Sequence, residues 1–211
     1  MSTYLGPAKN QIGNGAVLWL TGLSGSGKTT LARALKKALT ARDVSAFILD
    51  GDEIRRGLSS DLGFDARGRS ENVRRVAEVA RLLANDGTVV IAALISPSAA
   101  DRARARDIVL SSEPDRPIFL EVHVDAPLAE CEARDTKGLY RQARQGQRDS
   151  FTGISAPYET PEHPDLVLHT AQHSLASCVI LLLKQLSAAI NMPQGQSRPG
   201  APAPHLRAAA D

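Results

Sequence analysis

An α/β fold, drawn as a three-layer α/β/α sandwich around a five-stranded parallel sheet, is the class that this sequence predicts. Three observations lead there. Short β-branched or aliphatic runs alternate with longer helical patterns, the rhythm of repeated βαβ units. A glycine-rich turn at residues 22–29 joins the first of those runs to the first helical pattern. The chain has 211 residues, 43% hydrophobic and 23% charged, enough for one well-buried domain with little left over for a second.

The elements follow in order. Residues 1–14 are polar and glycine-containing and read as a flexible N-terminal arm, so the domain proper is expected over 15–190. The first strand is expected at 16–21, the next at 46–49, 88–93, 118–124 and 166–169, each a short run rich in valine, isoleucine or leucine. Helical spacing fills the intervals at 28–41, 70–85, 99–110, 128–134 and 175–190. Right-handed crossovers between parallel strands then cover both faces of the sheet. Residues 135–164 resist this pattern: they are rich in glycine, arginine, glutamine and proline, and so long an irregular stretch inside a compact domain reads as a mobile lid. Residues 191–211, rich in proline and alanine and without periodicity, read as a disordered tail.

Charge and composition narrow the function. A formal net charge of +2 is too small to imply binding to a nucleic-acid polymer. Cys131 and Cys178 are far apart and belong to no Cys/His cluster with metal-ligand spacing, which fits a reduced, cytoplasmic protein. No apolar run, residues 179–183 included, is long enough to cross a bilayer, and the start of the chain lacks the basic-then-apolar pattern of a secretory signal, so no membrane partner is expected. The histidines at 123, 163, 169, 173 and 205 are scattered and receive no chemical role.

Gly22-Leu23-Ser24-Gly25-Ser26-Gly27-Lys28-Thr29 fits the spacing GxxxxGK[ST], follows a strand and opens a helix, which is the context that a phosphate-binding loop requires. Glycines at 22, 25 and 27 let backbone N–H groups turn inward, and the helix start adds the positive end of its dipole. Lys28 would reach the β- and γ-phosphates of ATP, and Thr29, followed by Thr30, would offer its hydroxyl to Mg²⁺. The fold is therefore expected to be a P-loop NTPase of the nucleotide-kinase type.

The loop does not identify the acceptor. The second strand ends in Asp50-Gly51-Asp52, placing carboxylates at the C-terminal sheet edge, where open α/β sheets bind ligands. Asp52 can orient an acceptor hydroxyl or hold metal-bound water; it also precedes a helical stretch, where aspartate serves as an N-cap. Arg55, Arg69, Arg74 and Arg75, with Asn72 among them, form a run of guanidinium groups whose planar forks suit phosphate and sulfate, although arginines on helices are often only solvated.

These residues resemble the adenylylsulfate kinase family. The resemblance is carried by Asp50-Gly51-Asp52-x-Ile54-Arg55-x-Gly57-Leu58, Asp61-Leu62-Gly63-Phe64 and Arg69-x-Glu71-Asn72-Val73-Arg74-Arg75. Ile95-Ser96-Pro97 with Asp101-Arg102, Arg134-Asp135-x-Lys137-Gly138-Leu139-Tyr140, and Phe151-Thr152-Gly153-Ile154 with Pro157-Tyr158-Glu159 extend it. It implies transfer of the ATP γ-phosphoryl group to the 3′-hydroxyl of adenosine 5′-phosphosulfate in sulfate assimilation, a homodimer, and ATP sulfurylase as a candidate protein partner. It further implies an acceptor pocket lined by Asp52, Arg55, Phe64, Arg69, Asn72, Ile95, Ser96, Lys137, Leu139 and Phe151. In that pocket the two phenylalanines sandwich the adenine, the two arginines grip the phosphosulfate, and Arg134 lies against the adenine of ATP. Asp52 and Thr29 are the expected metal ligands; Lys28, Asp52 and Ser96 are the expected catalytic group. The family's serine is regarded as a potential phosphoserine intermediate, but no base stands near Ser96 in the sequence, and direct in-line transfer is favoured.

Some positions depart from the family pattern. Glu53 stands where asparagine is common, Leu94 replaces phenylalanine, Ser98-Ala99 replaces an aromatic and often basic pair, and Thr136 replaces proline. Glu53 places a second negative charge beside Asp52, which could weaken anion binding. Two competing functions remain at this point: a P-loop kinase for a sugar, alcohol or antibiotic, and a low-turnover nucleotide-binding partner of ATP sulfurylase.

Overall fold

The computed structural model describes residues 15–111 and 116–190; the expected arm, the expected tail and His205 lie outside them. Five parallel strands, β1 (Ala16–Thr21), β2 (Ala46–Asp50), β3 (Val89–Ala93), β4 (Ile118–Asp125) and β5 (Leu166–His169), form one sheet in the order β2-β3-β1-β4-β5. The five-stranded parallel α/β architecture expected from the sequence is the one observed. β2 and β4 each extend one residue past the expected end, and β3 begins one residue later.

β1 lies at the centre and is buried throughout. Because successive side chains point to opposite faces, it divides its residues between two cores. Ala16, Leu18 and Leu20 join Leu31, Leu35 and Leu39 of α1 (Lys28–Thr40) and Cys178, Leu182 and Leu186 of α7 (Leu175–Ile190). Val17 and Trp19 join Val73, Val76, Ala77 and Ala80 of α3 (Ala66–Asn85) and Ala105 and Val109 of α4 (Ala99–Leu110). Each fully buried leucine in such a layer contributes about 2 kcal/mol. Trp19 stacks with Phe119 of β4 at 6.1 Å between ring centroids, filling the second core.

Three helices differ from the sequence expectation. α3 starts at Ala66 because the Asp65 side chain accepts from the Gly68 N–H at 2.8 Å, capping a turn with weak periodicity. α2 (Gly51–Arg56) is capped by Asp50, whose carboxylate accepts from the Asp52 N–H; the cap anticipated for Asp52 therefore belongs to its neighbour. α6 (Leu139–Arg144) lies inside the stretch read as irregular and follows α5 (Leu128–Arg134) after a short turn. The Asp135 carboxylate accepts from the N–H groups of Tyr140 and Arg141 at 3.2 and 3.1 Å, so one side chain stabilises a helix too short for periodicity to reveal.

Candidate functional site

A cleft of about 1220 Å³ runs along the C-terminal edge of the sheet, between the 22–29 loop, the end of β2, the start of α3 and the 135–152 segment. Its donor end is built from backbone. Gly22 has φ 150°, and a Cβ there would sit 2.4 Å from the Val124 carbonyl oxygen; Gly27 caps α1 at φ 104°, where any side chain would be strained. No side chain caps α1, so its first N–H groups face the cleft as an anion site.

Lys28 donates to the carbonyls of Gly22 and Leu23 at 2.8 and 2.7 Å and to Ser26 Oγ at 3.4 Å. These acceptors are neutral and Lys28 is 8% exposed, so burial pulls its ammonium from 10.5 down to about 8. Lys137 acts in the same direction, while Cys131, Asp50 and Asp52 oppose it. The folded chain thus binds fewer protons than the unfolded chain between about 8 and 10.5, and stability from this group rises with pH across that window. Below it, the buried charge costs about 3 kcal/mol, from about 1.4 kcal/mol per unit. The ligand-free Lys28→Met variant should therefore resist urea better than the natural chain near pH 7, with the gap closing by about pH 10; a gap that does not change with pH would contradict this.

Thr29 donates its hydroxyl to the Asp50 carboxylate at 2.7 Å, and the other oxygen of that carboxylate caps α2. Asp50 therefore ties the phosphate loop to the acceptor side of the cleft, a role that sequence alone left open because its partner is 21 positions away. Asp52, freed from capping, is 54% exposed at its side chain and pairs with Lys137.

The expected acceptor residues Asp52, Arg55, Phe64, Arg69, Asn72, Ile95, Ser96, Lys137, Leu139 and Phe151 all line the cleft. Phe64 is 56% exposed, with the Arg55 guanidinium over its ring at 4.3 Å. Phe151 is buried, with Tyr140 edge-on at 5.0 Å between centroids. Arg55 donates to the carbonyls of Leu62 and Gly63; burial, and then the nearby Arg69, lower it from the usual arginine value. Arg69 donates to the carbonyls of Phe64 and Ser150 and to the Thr152 hydroxyl, fastening α3 to the far segment. Asn72 is buried, and its carbonyl oxygen has no hydrogen-bond partner in the structure.

Other members of the arginine run are accounted for by carboxylates. Arg75 grips Asp61 through two bonds of 2.6 and 2.8 Å, and both Arg74 and Arg75 bond Glu71, pulling that carboxyl down to about 2. Within the phosphate loop, Ser24, Gly25, Gly27, Lys28, Thr29 and Thr30 line the cleft, whereas Gly22, Leu23 and Ser26 stand behind it. Arg134 lines the cleft and donates to the carbonyls of Gly25 and Thr170 at 3.2 and 3.1 Å.

Ser96 lies in the left-handed region at φ 39° and is 3% exposed. Its Oγ accepts from the Trp19 indole N–H at 3.1 Å, and its carbonyl from Arg102 at 2.9 Å. The side chain is thus held against the core. Trp19, Thr170, whose hydroxyl donates to the Ser26 carbonyl at 2.8 Å, and Tyr140 were missed as supports of the site because each acts across a long sequence separation. The departures are mild: Glu53 pairs with Arg56 at 2.9 Å, Ser98 caps α4, Leu94 is core, and Thr136 joins the cleft lining.

The chain matches the family model described as adenylylsulphate kinase over residues 14–169. It is 51% identical over 175 residues to an adenylyl-sulfate kinase of Shewanella pealeana, covering 83% of each chain. Among solved structures it resembles the APS kinase of Mycobacterium tuberculosis in complex with AMPPNP and APS, at 43% identity and TM-score 0.79, covering 82% of this chain and 98% of that one. A hexameric APS kinase from Thiobacillus denitrificans is 30% identical with TM-score 0.63, covering 84% of this chain and 30% of that chain.

Proposed function

This chain belongs to the adenylylsulphate kinase family, and on that premise we propose that its cleft transfers the γ-phosphoryl group of ATP to the 3′-hydroxyl of adenosine 5′-phosphosulfate, giving 3′-phosphoadenylylsulfate and ADP in sulfate assimilation. The observation that carries this reading is a single cleft with a backbone anion site at one end and, at the other, a half-exposed carboxylate paired with a lysine, two arginines and two phenylalanines.

The backbone N–H groups of the loop residues that line the cleft, 24, 25 and 27–29, hold the donor phosphates, and Lys28 exchanges its carbonyl partners for phosphate oxygens. Asp52 orients the 3′-hydroxyl and accepts its proton as that oxygen bonds to the γ-phosphorus; the bond to the β,γ-bridging oxygen breaks and ADP leaves. An acceptor reaching Asp52 displaces Lys137, which then faces the phosphosulfate and the transferring group. Arg55 and Arg69 each keep guanidinium N–H groups for the phosphosulfate. The adenine stacks on Phe64, a contact of about 1–3 kcal/mol, with Phe151 closing the pocket. The unpartnered Asn72 carbonyl oxygen accepts from a donor on the acceptor nucleotide.

Thr29 with Asp50 and Asp52 is an oxygen donor set of the kind that Mg²⁺ prefers. When bound with ATP, Mg²⁺ would neutralise charge on the β- and γ-phosphates. Transfer is direct, because the Ser96 hydroxyl is held by Trp19 and lacks an adjacent base. A homodimer, ATP sulfurylase as a partner and a cytoplasmic location complete the proposal.

Mass spectrometry of the products formed with MgATP and adenosine 5′-phosphosulfate tests it. The 3′-phosphorylated sulfonucleotide should accumulate, and γ-labelled ATP alone should leave no label on Ser96. Turnover of a sugar or alcohol in its place would overturn the acceptor assignment.

A further inference from the structure

The reaction as derived leaves a buried phenol without a role. Tyr140, in the first turn of α6, is 2% exposed. Its hydroxyl donates to the Ser24 carbonyl of the phosphate loop at 2.8 Å, while its ring lies edge-on to Phe151 with centroids 5.0 Å apart and planes at 79°. The side chain therefore touches the donor loop with its polar end and the acceptor pocket with its apolar one. Its backbone N–H is held by Asp135, which fixes the start of α6. Burial raises the phenol above its usual range, so the group remains a hydrogen-bond donor at neutral pH.

The surroundings make this a stiff connection. Tyr140, Phe151, Cys131, Ala126 and Ala143, with Leu23 packed against them, form a third apolar cluster distinct from the two sheet cores. A close-packed cluster transmits displacement instead of absorbing it. Donor phosphates draw Lys28 off the carbonyls of Gly22 and Leu23, immediately before Ser24, so loading the loop disturbs the residue to which the phenol is bonded. On the other side, Arg69 fastens Ser150 and Thr152, the neighbours of Phe151, to α3.

We propose that Tyr140 is a positioning residue that couples the two substrate sites, setting Phe151 in register with the phosphate loop when the donor nucleotide binds. The proposal rests on the assignment of Phe151 to the acceptor pocket. It predicts that donor binding alone orders the segment around Phe151, and that the hydroxyl is needed for this while the ring preserves the packing.

Hydrogen exchange in the full chain, with Mg²⁺ and a non-hydrolysable ATP analogue but no acceptor, reads the coupling directly. In the natural chain, exchange should slow in residues 22–30 and in residues 139–153; in Tyr140→Phe it should slow in 22–30 alone. The variant's kcat should fall roughly 10- to 100-fold through misplacement of the acceptor, with the KM for each nucleotide within about threefold. A purely structural role would instead speed exchange throughout the domain and lower the melting temperature. Lid protection retained in the variant, or absent in the natural chain, overturns the proposal, as does an unchanged kcat. If the natural chain shows the lid response yet makes no 3′-phosphorylated sulfonucleotide, the acceptor assignment fails and the coupling is upheld.

Discussion

Lys28→Ala is expected to lower kcat by at least about 10²–10³-fold, the usual cost of removing one preorganised donor from developing charge. Three features make the effect large. The ammonium is nearly buried, so its field is weakly screened by water. In the ligand-free chain it rests on two carbonyls and a hydroxyl, which are neutral acceptors that phosphate oxygens readily outcompete. No other lysine or arginine donates to those loop oxygens among the described residues, although Arg134 bonds Gly25 next door. The fold should survive, because at neutral pH the charge costs stability: its value of about 8 lies below the 10.5 of an exposed lysine. Steady-state kinetics alongside thermal melting separates the two effects. A variant that turns over normally would remove Lys28 from the chemistry, and one that fails to fold would contradict the burial argument.

The parts of this site that sequence revealed are those whose chemistry is local. The spacing from Gly22 to Thr29 and the apolar runs of β1 and β3 each reflect neighbouring residues, and the structure places them as expected. Division of labour between Asp50 and Asp52 was not legible, because which of them caps α2 depends on Thr29, 21 positions earlier, claiming Asp50. Likewise Arg75 looks like a ligand until Asp61, 14 positions earlier, is brought against it, whereas the pairing of Arg74 and Arg75 with Glu71 is local to one helix. Ser96 is a clear case of the same limit: that its hydroxyl faces Trp19, 77 positions away, is set by the pairing of β1 with β3. α6 escaped notice since one carboxylate and a small apolar cluster hold it, not a repeating pattern.

Asp52→Asn should separate chemistry from binding more sharply than any other substitution in the cleft. The amide retains the size and the hydrogen-bonding oxygen of the carboxylate but cannot take up the 3′-hydroxyl proton, so kcat should fall by roughly 10²-fold or more. Affinity for ATP measured without Mg²⁺ should change by less than about threefold, because Asp52 hydrogen-bonds neither the phosphate loop nor Thr29 in the structure, and its place in the oxygen donor set matters only when the metal is bound. Stability should hardly move: the ion pair with Lys137 is half-exposed on both sides, and such pairs contribute at most about 1 kcal/mol. Asp50→Asn is the informative comparison, since it weakens both the Thr29 contact and the α2 cap and should damage ATP binding together with turnover. Single-turnover rates and equilibrium ATP binding on the two variants give the answer. Equal losses of ATP affinity in both would mean that Asp52 belongs to the donor site, and an unimpaired single-turnover rate in Asp52→Asn would mean that another group, or water, takes the proton.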